Sequence, residues 1–249
     1  MCSRMGEPDR AAGAPAGTAA GEAAAPTPRE TPARTIDDSD FIALRERMGQ
    51  TGYEAGDPDA RPRDKVYVKT SKSFNINAYL RSDGAEIRSP YSDWDRYGFS
   101  RADAAAAVRQ IDAGMKPLPE SIKLTRFVDG DALGAILGNP AITAGSIQTF
   151  LQQLAGSADS QSLLRGALQA ANYVEKGYSS TTYLQSHPSY DARDIRLNIV
   201  ARPGTPAIMT ANHAEHEVLI GRSVKYNFTG GFKIVQKGGH RQLILDVEI

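Results

Sequence analysis

Two carboxylates stand two residues apart, at Glu215 and Glu217, where a polar stretch meets an apolar one. Successive side chains of a strand point to opposite faces, so residues at i and i+2 share one face. If a strand begins by Glu215, both acids face one site and His216 faces the other side. Paired carboxylates can stabilise developing positive charge and accept a proton. On an exposed strand the same pair would only face solvent. The rest of the sequence has to decide between a functional and a solvated pair.

Two other polar features precede the acids along the chain. Arg126 lies in an alternating stretch, residues 122–128, that predicts a strand, and Ser180 and Thr181 lie in another predicted strand, residues 177–183. A guanidinium group can pair with two phosphate oxygens at once, and small hydroxyls can donate to a ligand or a carboxylate. Taken alone, Arg126 would be a strand arginine in a surface ion pair, and the hydroxyls would be ordinary strand residues.

The elements that must position these residues are mostly helices first and strands later. Helical spacing and capping signals predict helices at residues 39–48, 74–81, 100–113, 146–154 and 161–174, with Ser39 and Ser100 as N-caps. After residue 176 the pattern predicts strands at 177–183, 195–201, 206–209, 215–221, 223–228, 232–236 and 242–249. Turn residues lie at 129–131, 229–231 and 237–239. Helices segregated from a later set of strands indicate the α+β class.

The composition excludes several classes of function. The chain has 249 residues, of which 41% are hydrophobic, so it can bury a substantial core. Its 29 basic and 29 acidic residues balance, without the basic surface of a nucleic-acid binder. Cys2 is the one cysteine, and the four histidines lack a metal-binding spacing, so we expect no disulfide and no metal site. No apolar run is long enough to span a membrane.

Residues 1–35 differ in composition from the rest of the chain. They contain no Val or Leu and no aromatic residue, and glycines and prolines interrupt every alanine run. Such a segment cannot bury enough apolar surface to offset its ordering entropy, so we expect a disordered leader. It lacks the apolar core of a cleavable signal peptide. The ordered domain is therefore predicted to span residues 36–249.

The order of these motifs resembles a known family. Arg126, the run Ser180-Thr181-Thr182 and the pair Glu215 and Glu217 resemble the mono-ADP-ribosyltransferases of the arginine-serine-glutamate class, the cholera-toxin-like, arginine-specific group of bacterial toxins and effectors. The stretches 76–81 and 217–226 are also similar to that family. The resemblance covers about residues 60–249, and its five motifs occur in the family's order.

Two positions depart from the family pattern. Phe127 stands where the family often has glycine, and Thr182 stands where a second serine is usual. The bulk of Phe127 beside Arg126 would narrow a dinucleotide cleft, whereas Thr182 keeps the hydroxyl. The larger of the two departures from the family pattern is therefore the one next to Arg126.

The resemblance implies a fold with a helical amino-terminal half and two antiparallel-rich mixed β-sheets that form an NAD cleft. NAD would be the substrate, with no metal. Arg126, together with Phe127, would bind NAD through its diphosphate, and Ser180 and Thr181 would orient the nicotinamide ribose and hold Glu217. Glu217 would bind NAD by hydrogen-bonding the ribose 2′-hydroxyl and would stabilise positive charge on that ribose. Ser180 and Glu217 would be catalytic residues together with Glu215.

The first acid would serve the acceptor. Glu215 would orient an arginine of the target protein and take its proton, since arginine is protonated at neutral pH. Residues 210–214 would help to choose the target. His213 and His216 are interpreted as ordinary polar residues of this loop, because His216 points away from the acids.

Together these expectations describe a monomeric, secreted bacterial effector that modifies arginine on a host protein, with residues 1–35 carrying export information. One alternative keeps the site but uses water as the acceptor, which makes the protein an NAD glycohydrolase. Another is an inactive transferase fold that acts as a binding module. Phe127 favours that second alternative, whereas the intact acids Glu215 and Glu217 argue against it.

Overall fold

The structure is a computed structural model that describes residues 32–50, 72–87, 100–188, 190–210 and 216–249. All of these belong to one unit, Pro32–Ile249. The helices in the described ranges are α1 (Asp38–Arg47), α2 (Lys72–Arg81), α3 (Arg101–Gly114), α4 (Gly130–Leu137), α5 (Ile147–Ala155) and α6 (Ala158–Ala170). The helices predicted in the first half are therefore present, with ends displaced by a few residues.

Two helix starts show how local side chains fix the boundaries. Ser100 accepts from the backbone of Asp103, and Asp103 accepts from the backbone of Ser100, which is the capping box that the sequence predicted. Asp37, not the predicted Ser39, caps α1 in the same reciprocal way with Asp40. The prediction of Ser39 was wrong because Asp37 offers the stronger acceptor two residues earlier, and Ser39 Oγ donates to it at 2.7 Å.

Helix α4 was not predicted, since its first residues were interpreted as a turn. Asp129 caps it, and Gly130 is its first residue. A Cβ on Gly130 would lie 2.3 Å from the carbonyl oxygen of Thr143, so the close approach of the chain explains this glycine. The predicted helix 161–174 was too long, because α6 ends at Ala170 and residues after it form a strand.

The strands in the described ranges are β1 (Lys116–Pro117), β2 (Ile122–Val128), β3 (Tyr173–Glu175), β4 (Ser179–Thr182), β5 (Ile195–Ala201), β6 (Pro206–Met209), β7 (Glu217–Ile220), β8 (Val224–Lys237) and β9 (His240–Glu248). Their order is β1-β6-β7-β4-β2-β5-β9-β8-β3. Strands β5 and β9 are parallel, and the other pairs are antiparallel. The predicted α+β class, with a mixed sheet, is confirmed.

Strand β8 lies between β9 and β3 in this order. Residues 229–231 were predicted to be a turn between two strands, but they lie inside β8, where the register with β9 shifts between Phe228 and Phe232. Gly230 has a φ of 81°, which fits such an irregularity. The first part of β8 pairs with β3, so the strands form one hydrogen-bonded order and not two separate sheets.

Two apolar clusters cover opposite faces of the central strands. The larger one contains Ile122, Leu124, Val218 and Ile220 and packs against α1, α4, α5 and α6. The smaller one contains Leu219 with residues of α2 and α3. Since residues i and i+1 of a strand face opposite sides, β7 is buried on both faces, which explains its short run of four buried residues.

Candidate active site

Ser180 and Glu217 lie together on neighbouring strands. Strands β4 and β7 pair antiparallel with Thr182 opposite Glu217, which puts Ser180 on the same face of the sheet as Glu217. Ser180 Oγ donates to Glu217 Oε1 at 2.5 Å. The sequence prediction that brought these two residues together agrees with this contact, which fixes the carboxylate by a charge-assisted hydrogen bond.

A second hydroxyl holds the other oxygen of this carboxylate. Thr210 follows β6, and its Oγ1 donates to Glu217 Oε2 at 3.1 Å. The Glu217 residue is 3% exposed. The two hydroxyls orient the carboxylate, and neither carries a charge of its own. We call Ser180, Thr210 and Glu217 the acid end of the site.

The strand begins later than the sequence suggested. His216 has a φ of 50°, in the left-handed region, and β7 starts at Glu217. Strand alternation therefore does not extend through His216, and the argument that strand geometry puts two acids on one face fails at this residue. Glu215 and His213 lie outside the described residues.

Thr181 occupies a different place from the predicted one. Its Oγ1 donates to the carbonyl oxygen of Val218 at 2.6 Å, and the residue is buried. Adjacent strand residues face opposite sides, so Thr181 points away from Ser180 and Glu217. Thr181 thus ties β4 to β7, and the expectation that it holds the Glu217 carboxylate was wrong.

Arg126 is held by three elements from distant parts of the chain. Its Nη1 donates to Ser179 Oγ at 2.8 Å, to the Tyr226 hydroxyl at 3.2 Å and to Glu175 Oε2 at 3.2 Å. The hydroxyls of Ser179 and Tyr226 also hydrogen-bond each other at 2.7 Å. The Arg126 side chain is 14% exposed, so the alternative of a surface ion pair does not apply.

Glu175 connects Arg126 to a second guanidinium group. Arg81 donates from Nε and Nη2 to the two carboxylate oxygens of Glu175, at 3.0 and 3.1 Å. Tyr173 donates its hydroxyl, and Gly177 its backbone N–H. Burial raises the pKa of Glu175, but the charge of Arg126 and the hydrogen bond from Arg81 outweigh it, so the pKa lies below its usual value. We call Arg81, Arg126 and Glu175 the basic end of the site.

The two ends lie on opposite faces of their strands. Thr125 is registered with Thr182, which is registered with Glu217, so these three residues share one face. Arg126, next to Thr125, therefore faces the other side. Strands β2 and β4 pair only at Thr125 and Thr182. Arg126 and Ser180 lie beyond this pair, where the two strands no longer pair with each other. A ligand that contacts both the acid end and the basic end has to pass the opening where β2 and β4 stop pairing.

Phe127 contacts the segment between β4 and β5. Its ring stacks on Tyr190 with centroids 6.4 Å apart, and Tyr190 packs on His187 at 4.9 Å. Phe127 is on the face that carries Thr125 and Glu217, because it is two residues beyond Thr125. Its bulk therefore lies on the side of the acid end, and not on that of Arg126 as its sequence neighbour would suggest.

Sequence reasoning missed the residues that hold Arg126. Glu175 stands between two predicted elements and carries no local motif, whereas Tyr226 and Arg81 lie in stretches to which no role was given. One physical signal was present: an arginine that faces a buried interior needs a carboxylate nearby. This rule requires an acidic residue near Arg126 but does not identify it.

The described ranges contain neither a metal-binding group nor a membrane-spanning helix. Within them no group of three or more His, Cys, Asp or Glu side chains could hold a metal ion. No helix there has both the length and the apolar character that crossing a bilayer requires.

Comparison with known proteins gives both a family and a fold. A sequence profile described as ADP-ribosyltransferase exoenzyme matches residues 64–249. Comparison with curated proteins finds no match. Among solved structures, Plx2a, an ADP-ribosyltransferase toxin from Paenibacillus larvae, is 17% identical with a TM-score of 0.61, covering 86% of this chain and 96% of that one.

Two other solved structures are similar over comparable lengths. C3stau2 from S. aureus with NAD is 22% identical with a TM-score of 0.57, covering 88% of this chain and 98% of that one. The Clostridium limosum C3 exoenzyme is 17% identical with a TM-score of 0.56, covering 88% and 97%. At these identities the likeness is one of fold.

Proposed function

The chain belongs to the ADP-ribosyltransferase exoenzyme family, and from that premise we propose that it transfers ADP-ribose from NAD to an arginine of a target protein. We place it in the arginine-serine-glutamate class. The observation that carries the proposal is the contact between Ser180 and Glu217, at 2.5 Å, which fixes a buried carboxylate on the strand that follows the predicted acceptor loop.

The acid end fits the cleavage step. When the bond between the ribose and nicotinamide breaks, its electron pair leaves with nicotinamide and the ribose gains oxocarbenium character. A preorganised carboxylate stabilises that charge as it develops. Glu217 is assigned this role, and Ser180 and Thr210 hold both of its oxygens in place.

The basic end fits the binding of NAD. Arg81 and Arg126 surround one carboxylate, so the three groups carry one net positive charge beside the opening between β2 and β4. A diphosphate is recognised by planar guanidinium groups. Arg126 is assigned the diphosphate, as the sequence predicted, and Arg81 is added because the same carboxylate orients it.

The acceptor step is assigned to Glu215. A guanidinium nucleophile must lose a proton as its nitrogen bonds to the ribose carbon, and Glu215 would orient it and take that proton. Residues 211–214 would contact the target protein, whereas Thr210, the first residue of the predicted loop, is buried against Glu217. This part of the proposal rests on the sequence motif, since these residues, apart from Thr210, lie outside the described ranges.

The setting of the reaction is also proposed. Plx2a is a toxin, and the present chain is similar to it over most of both lengths. We infer a secreted protein that acts as a monomer on a host protein, with residues 1–35 as a leader that carries export information. The leader's lack of Val, Leu and aromatic residues supports this assignment.

One experiment separates this function from its alternatives. The purified chain is incubated with NAD labelled in the adenosine part, with and without a cell lysate. Label on protein that is released by treatments specific for arginine linkages supports the proposal. Free ADP-ribose without labelled protein indicates a glycohydrolase, and unchanged NAD indicates a binding module. The variant Glu217→Gln serves as the control for enzymes of the lysate.

A further inference from the structure

The residue between the two acids adopts an unusual backbone conformation. His216 has a φ of 50°, which few residues other than glycine adopt and which persists only where neighbouring groups hold it. Glu217 follows directly and begins β7. The groups that hold the His216 backbone therefore help to set the position of the Glu217 carboxylate.

Those groups are Tyr183, which follows β4 directly, and Asp38 of α1. The His216 ring packs edge-on against Tyr183, with centroids 5.3 Å apart and planes at 83°. His216 Nε2 is 3.7 Å from Asp38 Oδ1. Tyr183 donates its hydroxyl to the same oxygen of Asp38 at 2.6 Å. One carboxylate oxygen of α1 thus contacts the residue that follows β4 and the residue that precedes β7.

Helix α1 is anchored firmly enough to act as a support. Asp37 and Asp40 form its capping box, and Leu44 is fully buried in the larger core. Phe41 packs on Tyr183 with ring centroids 5.1 Å apart. Arg34 and Arg47 both pair with Glu120, which joins the two ends of α1 to the segment before β2. The position of Asp38 is therefore set by packing that does not depend on the acid end.

We propose that Asp38 is a positioning residue for Glu217, acting through Tyr183 and His216. The inference rests on the proposed function, in which Glu217 stabilises charge on the ribose. The three residues fix the backbone at His216, and that backbone keeps Glu217 Oε1 at 2.5 Å from Ser180 Oγ. A displaced carboxylate would still let NAD bind at the basic end, so the effect belongs to kcat and not to the KM for NAD.

A competing explanation is that these contacts only stabilise α1. The variant Asp40→Asn separates the two explanations, because Asp40 also lies in the first turn of α1 and pairs with Arg34, but it contacts neither Tyr183 nor His216. The substitution removes the charge that pairs with Arg34, while the amide oxygen can still accept from the backbone of Asp37, so the position of Asp38 is kept. It is therefore the matched control for Asp38→Ala.

The first measurement is nicotinamide release at varied NAD. For Asp38→Ala we expect kcat to fall about 10- to 100-fold with an unchanged KM, because small displacements of a catalytic group cost rates of this order. Asp38→Asn keeps an acceptor for Tyr183 and should lose less. His216→Gly tolerates the positive φ but has no ring, so its kcat should also fall. Asp40→Asn should stay within about twofold of the wild type.

The second measurement does not need turnover. Hydrogen exchange at the backbone amides of β7 should be faster in Asp38→Ala than in the wild type and unchanged in Asp40→Asn. A wild type that releases no nicotinamide would reject the proposed function, and the exchange rates would still test the support. Equal exchange in Asp38→Ala and the wild type, or equal losses of kcat in Asp38→Ala and Asp40→Asn, would overturn the role of Asp38.

Discussion

At the acid end a carboxylate is held by hydroxyl groups, whereas at the basic end a carboxylate is held by two guanidinium groups. Ser180 and Thr210 donate to Glu217, and neither carries a charge. Arg81 and Arg126 donate to Glu175, and both carry a positive charge. Both acids are almost fully buried, so the difference lies in their partners and not in their exposure.

The difference indicates what each carboxylate is for. The two hydroxyls orient Glu217 for a cation that forms later without themselves neutralising its charge. A cationic donor neutralises Glu175, which lowers the cost of its burial and leaves it no charge to offer a substrate. Glu175 thus has a structural task, which is to orient the two arginines that we assign to the binding of NAD.

The largest expected effect is at the acid end. Glu217→Gln keeps the shape and removes the charge, so both nicotinamide release and protein modification should fall by about 10² to 10³. Glu215→Gln should suppress transfer to arginine and leave hydrolysis nearly intact, because water needs less orientation than a guanidinium group. Measuring both products for both variants checks the division of roles. Wild-type hydrolysis by Glu217→Gln would remove Glu217 from the reaction.

At the basic end the main effect should be on stability. Glu175→Gln leaves Arg126 buried without its charged partner, and we expect the free energy of unfolding to fall by about 3 kcal/mol. Urea denaturation measures this change. The control is Glu248→Gln, which breaks the more exposed pair with Arg202 and should cost less than about 1 kcal/mol. Similar losses for the two variants would show that the burial of Glu175 has no energetic consequence.

Arg126→Lys should have a smaller effect, on affinity alone. Lysine can still pair with Glu175, but it lacks the planar fork that matches a diphosphate, so we expect NAD to bind about tenfold more weakly. Calorimetry measures the Kd, and Arg202→Lys on the more exposed pair is the control. Equal affinity for Arg126→Lys and the wild type would place the diphosphate elsewhere.

The smallest effect concerns pH. The folded protein holds the pKa of Glu175 below the ordinary glutamate value of 4.5, so on acidification the unfolded chain takes up this proton first. The stabilisation from Glu175 is therefore complete above pH 4.5 and is lost as pH falls through the lower folded pKa. The stability difference between the wild type and Glu175→Gln should shrink below pH 4.5. A difference that does not change with pH would contradict the lowered pKa.

The same two ends show how far the sequence leads. Ser180 and Glu217 lie on short strands with a clear motif, and pairing of neighbouring strands brings them together, so their contact was predictable. The basic end joins Arg81, Arg126, Glu175 and Tyr226 from α2, β2, β3 and β8, and only tertiary packing brings such distant positions together.

Backbone conformation limited prediction in other places. His216 was expected to continue a strand, and its positive φ is fixed by Tyr183 and Asp38, which no local pattern reveals. Gly230 and Gly231 have the composition of a turn, but the flanking residues Phe228 and Phe232 both pair with β9, which keeps the glycines inside β8. In both cases contacts between distant segments outweighed local preference.

The central claim is that Glu217 acts on the reaction and the arginines act on binding, and calorimetric titration of Glu217→Gln with NAD tests it most directly. The account predicts a Kd within about threefold of the wild type, because the diphosphate contacts remain while nicotinamide release is lost. A Kd weakened by about tenfold or more would mean that the charge of Glu217 contributes to the binding of NAD itself and would contradict the separation of the two ends.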